Sequence, residues 1–352
     1  MLRIVTGPFH PHLEHAFLDH IQRLKTADPL APLAVIVPSS LLLARLRELL
    51  VVEHQQGLLN VHFLTFHQLA LRLYEERLSL CSTEFSRMQM VPDLVFEYLL
   101  GQIAVRDLHG MAGLQLMSLA PGAWTALWAT LRDLKNSAVD PAVALRGIAE
   151  GVFDREDAAA LQALFTLYSA VLEAGRSLEV GAIDDLASMV TPWVGQSPFL
   201  SRCRHVSYYG FYDLTQVQLS LFEAVIAASS ATLFFPLCDD PAFAFGRRFF
   251  ERHLSPLAVS SEPITRATMI ESAPHLQRED VRVRIMNAVG SDDELALVCK
   301  EIMNLVETHE YRFDEIGVVA RSLEGYHGSL GRLFDQHRIP FTSTAAAPLI
   351  QE

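Results

Sequence analysis

Cysteine is scarce in this chain of 352 residues: Cys81, Cys203, Cys238 and Cys299 are its four, never closer together than 35 positions. That spacing makes neither a disulfide framework nor a zinc-ligand pattern, and a reducing cytoplasm is the expected compartment. Positive charge is also short. Lys and Arg number 28 against 41 Asp and Glu, a net charge of −13. Proteins that bind nucleic acid unaided usually neutralise phosphates with a basic face. The chain as a whole therefore repels DNA at long range, and a role on DNA requires a local basic groove, a partner or a further domain. No uncharged apolar run reaches the roughly 18–20 residues of a membrane helix. The opening MLRIVTGPFHPH lacks the basic segment and apolar stretch of a signal peptide.

What is present is globular material. Half the residues are hydrophobic and a fifth are charged, enough for a large core and for two or three domains. The first 80 residues read as strand–helix units. Leu2–Thr6, Leu33–Ser40 and Asn60–Leu64 are apolar strands, each followed by a helical pattern. Continuous apolar strands alternating with helices predict a parallel sheet covered on both faces. From about Cys81 to Leu200 helical periodicity takes over, with Asp154 and Asp184 as helix starts and Gly175 as a stop. Strands return at His205–Phe211 and Ala231–Leu237. Residues 241–280 read as an irregular connection, and further strands are expected at Val281–Gly290, Glu315–Ser322 and Ile339–Thr342. The expected division is a first α/β lobe from 1–80 and 201–245, a helical insertion at 81–200, a connection at 246–280 and the beginning of a second lobe at 281–352.

A first strand running into glycine and a helix is where a phosphate loop, G-x-x-x-x-G-K-[ST], belongs. Gly7 is there, but the second glycine is His12, the lysine is Leu13 and the hydroxyl residue is Glu14. Pro8 and Pro11 have no N–H to offer a phosphate, and His12 carries a Cβ where backbone must approach it. Leu13 removes the cation. Glu14 sets a carboxylate beside phosphate, a repulsion of about 1 kcal/mol at ~4 Å in water and more in a partly buried site. NTPases of this kind also end a buried strand with an Asp that organises Mg²⁺; here HVSYYGF has Tyr209, with Asp213 four residues on. The Asp239–Asp240 pair reads as solvated loop acids. His10, His12, His15 and His20 admit a metal reading, against the simpler one of exposed imidazoles in a polar loop. No catalytic triad or carboxylate pair can be argued from spacing.

The order LRIVTGP, PLAVIVPS, VHFLTFHQLA, GAIDDLA, HVSYYGFYDLTQVQ, ATLFFPL, SDDELALVCKEI and IGVVARSLEGY…IPFT resembles superfamily 1 helicase-like proteins, and within them the AddB-type subunit of bacterial helicase-nucleases. The resemblance covers essentially the whole chain. It implies an α/β protein of RecA-like parallel-sheet lobes with an all-helical insertion. It also implies work in DNA double-strand-break repair beside an AddA-type helicase-nuclease partner, on single-stranded or forked DNA, with a nuclease domain beyond residue 352. Many AddB-type proteins keep a phosphate loop. This chain departs from them and in that respect is more like RecC, where the helicase fold persists as scaffold, so no cofactor is expected. By the same resemblance Thr65, Phe66 and His67 match a segment that touches single-stranded DNA, where a hydroxyl and an aromatic suit phosphate contact and base stacking. The alternative is that Phe66 is core and Thr65 merely ends a strand. Arg321 matches an arginine that reaches the terminal phosphate of a nucleotide; without a phosphate loop, a structural ion pair is its other role. Three readings stay open: a non-catalytic helicase-like subunit, a stand-alone interaction scaffold without DNA binding, and an NTPase with a non-standard phosphate site.

Overall fold

The computed structural model of the chain describes residues 1–55, 57–80, 87–107, 122–238, 240–263 and 283–343. It divides into two compact units, Met1–Ala273 and Pro274–Glu352.

The first unit is built on a six-stranded parallel sheet. Its strands are β1 (Leu2–Gly7), β2 (Leu33–Val37), β3 (Val61–Thr65), β6 (His205–Tyr209), β7 (Ala231–Pro236) and β8 (Ser260–Pro263), in the order β3-β2-β6-β7-β1-β8. Alternate side chains feed two cores. Ile4, Ile36, Tyr208 and Phe235 point into one face; Val5, Val35, Tyr209 and Phe234 point into the other. Because both faces are covered, β2 and β7 are buried along their whole length, which is why they read as unbroken apolar runs. Helices α1 (Glu14–Ala27) and α2 (Ser40–Glu48) supply Phe17, Ile21 and Leu46 to the second core. Helix α3 (Phe66–Leu80) supplies Leu69 and Leu73 to the first. The Lys25 ammonium at the end of α1 donates to the carbonyls of Ala31 at 2.7 Å and of Leu59, tying that helix to the start of β3.

Between β3 and β6 the chain is helical: α4 (Asp93–Asp107), α5 (Ala123–Asn136), α6 (Pro141–Ala149), α7 (Arg155–Ser177), α8 (Asp185–Val190) and α9 (Pro198–Arg202). A separate core forms there around Phe96 and Trp128, stacked at 4.4 Å, with the Lys135 ammonium 5.6 Å from the Phe96 ring. Asp154 and Asp184 flank the helix starts as expected. Gly175 is not a stop, because α7 continues to Ser177. A Cβ at Gly175 would lie 3.3 Å from the Val180 carbonyl, so glycine serves close packing there. That contact leads into a two-residue pairing missed in the sequence, β4 (Gln89–Met90) on β5 (Val180–Gly181). The Asp157–Ser177 stretch is long and apolar enough by composition to cross a membrane, and its Phe165, Leu167, Tyr168 and Val171 are buried in this helical core.

After β6, α10 (Gln216–Ala228) returns the chain to β7. The connection expected at 246–280 is ordered in its described part. Helix α11 (Ala244–Phe249) and a following turn to Leu254 bury Phe250 and Leu254, and β8 then pairs with β1. The sequence concealed β8 because SSEP at Ser260–Pro263 has no apolar pattern; backbone pairing alone makes it a strand.

The second unit packs α12 (Ser291–His309) against α13 (His327–Gln336) through Leu295, Cys299, Ile302, Leu333 and Phe334. Asp292, Asp293 and Glu294 occupy the first turn of α12, where carboxylates favour the helix dipole. The three strands expected in this unit are not formed in the described residues: 283–289, 316–322 and 339–343 are irregular. Ile285 is 94% exposed and Val319 96%. Alternating apolar residues state what a strand would bury; the ladder itself needs a neighbour.

One buried pair bears on stability. The rings of His20 and His205 lie 4.9 Å apart, and His205 Nε2 is 3.0 Å from Thr232 Oγ1. Burial first, then the positive neighbours, depresses His20 to about 3 and His205 to about 4. Above pH ~6.5 both are neutral folded or unfolded and contribute nothing to pH dependence. As pH falls below that, only the unfolded chain takes up their protons, so stability declines until the folded values are reached. Thermal unfolding across pH 7 to 4 should show a falling Tm. His20→Phe should flatten the fall, and an equally steep profile in the variant would remove the pair from the explanation.

Candidate functional site

At the C-terminal edge of the sheet two strand-to-helix turns meet. One follows β1, the other β6, and β7 lies between the two strands. Gly7 ends β1, Pro8 and the Phe9–Leu13 turn follow, and Leu13 and Glu14 begin the helical run. Tyr209 ends β6 and is fully buried; Gly210 takes a left-handed φ of 82°.

The space between the turns is filled by aromatic rings. Phe9 lies 5.5 Å from Tyr209 and stacks at 6.5 Å on Tyr212. Tyr209 also contacts Phe17 at 5.0 Å and Phe234 at 6.2 Å. A Cβ at Gly210 would come within 2.6 Å of Leu42 Cδ2 and 3.3 Å of Phe9 Cε2, so this backbone tolerates only glycine on both steric and conformational grounds. Burial, then the carboxylate of Glu14, pushes the Tyr209 phenol well above its ordinary pKa.

Glu14 is buried at the first residue of α1, with His10 Nδ1 3.5 Å from its Oε1. A helix N-terminus favours an anion, and here the chain's own carboxylate stands at it. Leu13 is fully buried in the core that holds Tyr209. His12 is partly exposed, its pKa lowered by burial and by its neighbours His15 and His10. No three His, Cys, Asp or Glu side chains gather in metal-binding geometry among the described residues. Gly7, Leu13, Glu14 and Tyr209 thus fall at one place. Arg321 belongs to the second unit, in the irregular stretch after Ile316, and is exposed. Asp239 lies outside the described residues; Asp213 is exposed. Sequence reading missed Phe9, Tyr212 and Leu42. The signal for the first two was legible: aromatics flank a glycine in YYGFY, and another follows Gly-Pro.

The Thr65–Phe66–His67 segment starts α3 at the same edge. Thr65 and Gln68 form a reciprocal capping box: Gln68 N donates to Thr65 Oγ1 at 3.3 Å and Thr65 N donates to Gln68 Oε1 at 2.8 Å. Thr215 and Gln218 repeat it on α10. Phe66 is 4% exposed and packs edge-on to Phe211 at 5.9 Å, so its ring is core and offers no face for base stacking. His67 is the accessible member, its Nε2 3.7 Å from Asp184 Oδ1. A larger groove of about 900 Å³ runs along the open edge of β3, where the Arg72 guanidinium sits 3.9 Å over the Phe199 ring.

A covered parallel sheet with facing turns after β1 and β6, and helices inserted between β3 and β6, is the RecA-like arrangement of superfamily 1 helicase-like proteins. Within that class the chain is AddB-type. It is 24% identical over 96% of its length to the AddB protein of the ATP-dependent helicase/deoxyribonuclease of Desulforudis audaxviator, 31% of which is covered. With the protein of the same name from Bacillus licheniformis it shares 23% identity over 51% of the chain and 18% of that protein. With that from Symbiobacterium thermophilum it shares 40% over 20% of the chain and 6% of that protein. The chain spans about a third or less of the length of these curated relatives. No family model matches it.

The packed turn makes a direct test available. Phe9→Ala should cost about 2 kcal/mol or more, because the removed ring leaves a void that its neighbours fill only in part. Gly210→Ala should cost at least about 1–3 kcal/mol from backbone strain. Urea unfolding reads both. Midpoints unchanged from the parent chain would mean that the rings do not hold the two turns together.

Proposed function

We propose that this chain is the non-catalytic, helicase-like portion of a DNA double-strand-break repair helicase-nuclease subunit. It acts as scaffold and strand guide beside an AddA-type helicase partner in the cytoplasm, with single-stranded or forked DNA passing within the complex. The relatives are named as subunits, and that supports a partner for this chain. In this reading residues 1–80 and 201–245 form a first RecA-like lobe, to which β8 adds an edge strand. Residues 81–200 are its helical insertion, and 281–352 begin a second lobe.

The observation that carries the non-catalytic part is the ring of Phe9 against Tyr209 and Tyr212, with Glu14 at the helix N-terminus. A nucleotide's phosphates would have to displace the ring and then face a carboxylate. No lysine or hydroxyl stands at the two positions of the motif that bind phosphate and Mg²⁺. The same rings support a role in which the lobe is rigid and needs no nucleotide to be ordered.

Thermal shift with Mg²⁺-ATP and a non-hydrolysable analogue tests this. Millimolar nucleotide should leave Tm unchanged. A ligand that binds only the folded state, at about 100 times its Kd, adds about 2.7 kcal/mol, so a dose-dependent rise would establish the NTPase reading instead. The scaffold role predicts co-purification with an AddA-type helicase co-expressed from the same source; a partner that fails to associate would leave the stand-alone reading.

A further inference from the structure

We propose that Tyr212 and Phe245, with Arg248 and Arg252 beside them, form a stacking platform for single-stranded nucleic acid at the sheet edge. The inference rests on the strand-guide reading above and gives it a location.

The platform is built by helix α11 and the turn after it. Gly246, Phe250 and Leu254 recur at i, i+4 and i+8 and are buried. Phe250 packs 5.3 Å from Phe235, at the end of β7. A Cβ at Gly246 would touch the Tyr212 carbonyl at 3.6 Å, so the helix seats directly on the loop after β6. The opposite side therefore faces outward. Phe245, Arg248 and Arg252 recur there at i, i+3 and i+7, a single face at helical spacing, and all three are exposed.

The rings continue inward from that face. Phe245 is 51% exposed and Tyr212 37%, their centroids 6.4 Å apart at 36°. Phe243 lies 6.2 Å from Tyr212 on the same loop. Behind Tyr212 stands Phe9, nearly parallel to it at 22°. The outer rings are thus backed by a fixed one and do not have to be ordered on binding.

Charge favours a polyanion over an apolar peptide. Arg248 Nε donates to the Ala244 carbonyl at 3.3 Å, and among the described residues neither Arg248 nor Arg252 has a carboxylate partner within ion-pair distance. Ala244–Leu254 carries three arginines, Arg247 among them, against the single acid Glu251, in a chain whose net charge is −13. Asp213 is the nearest acid on the Tyr212 loop. Aromatic faces accept any base by stacking, and guanidinium groups take the phosphates between bases. A duplex buries its base faces and could use only the arginines.

The test uses the whole chain and a fluorescent oligothymidylate of about 20 nucleotides, read by anisotropy at low salt. The parent chain should bind. Phe245→Ala should weaken binding about 5- to 100-fold, the range of one stacked base. Phe245→Trp should restore it, and Arg248→Ala should both weaken binding and lower the salt slope by about one. Arg176→Ala, which removes a charge on α7, should leave affinity unchanged. Phe245 is half exposed, so its alanine variant should keep the parent Tm. Parent-like affinity in both platform variants would overturn the platform while leaving strand handling to other surfaces. No binding by the parent chain would overturn the platform and the strand-guide reading together. Variants that lose the helicase partner but keep the oligonucleotide would replace the platform with a protein-docking face.

Discussion

The first unit depends on how Phe9 is held. Its ring lies where the turn after β1 meets the turn after β6, and it can lie there only because Gly210 has no side chain and Leu42 closes the far side. Tyr209 transmits the contact into the core through Phe17 and Phe234. On the other side Tyr212 receives α11, and with it the approach to β8. One apolar contact thus joins β1, β6, α1, α2 and α11. In a phosphate-binding relative of this fold, that junction would be bridged by ligand and ordered loop backbone.

Polar groups at the same edge are satisfied internally. The two capping boxes, Thr65–Gln68 and Thr215–Gln218, occupy the starts of α3 and α10. Glu76 accepts hydrogen bonds from Ser197 Oγ and from Phe199 N at the start of α9. Glu14 does comparable work at α1. Four helix starts in the first unit are therefore met by side chains of the chain itself, and the outward arginines of α11 are left with their charge unneutralised.

Much of this was legible in the sequence. The apolar runs of β1, β2, β6 and β7 announced a covered parallel sheet because burial on both faces leaves no polar alternation. The altered residues at His12, Leu13 and Glu14 were equally plain against a fixed motif. What filled the vacated space was not legible, since Phe9 and Tyr212 are 203 positions apart and only the fold brings them together. Strand β8 was hidden because it contributes backbone without an apolar pattern. The strands expected in the second unit failed for the opposite reason: Ile285 and Val319 have the pattern and lack a neighbouring ladder. Phe66 shows a third kind of ambiguity, since an aromatic after a strand-ending threonine reads the same whether its ring faces a base or a core.

Glu14 has a consequence for how the lobe behaves under changing conditions. A bound phosphate stabilises its protein by mass action and leaves when its concentration falls. A carboxylate carried on the helix itself cannot be diluted away: it is present at fixed effective concentration in every folded molecule. The order of this turn is thereby uncoupled from metabolite supply and from any cycle of binding and release. The neighbouring surfaces are held at a constant geometry, as a bearing is held while other parts turn.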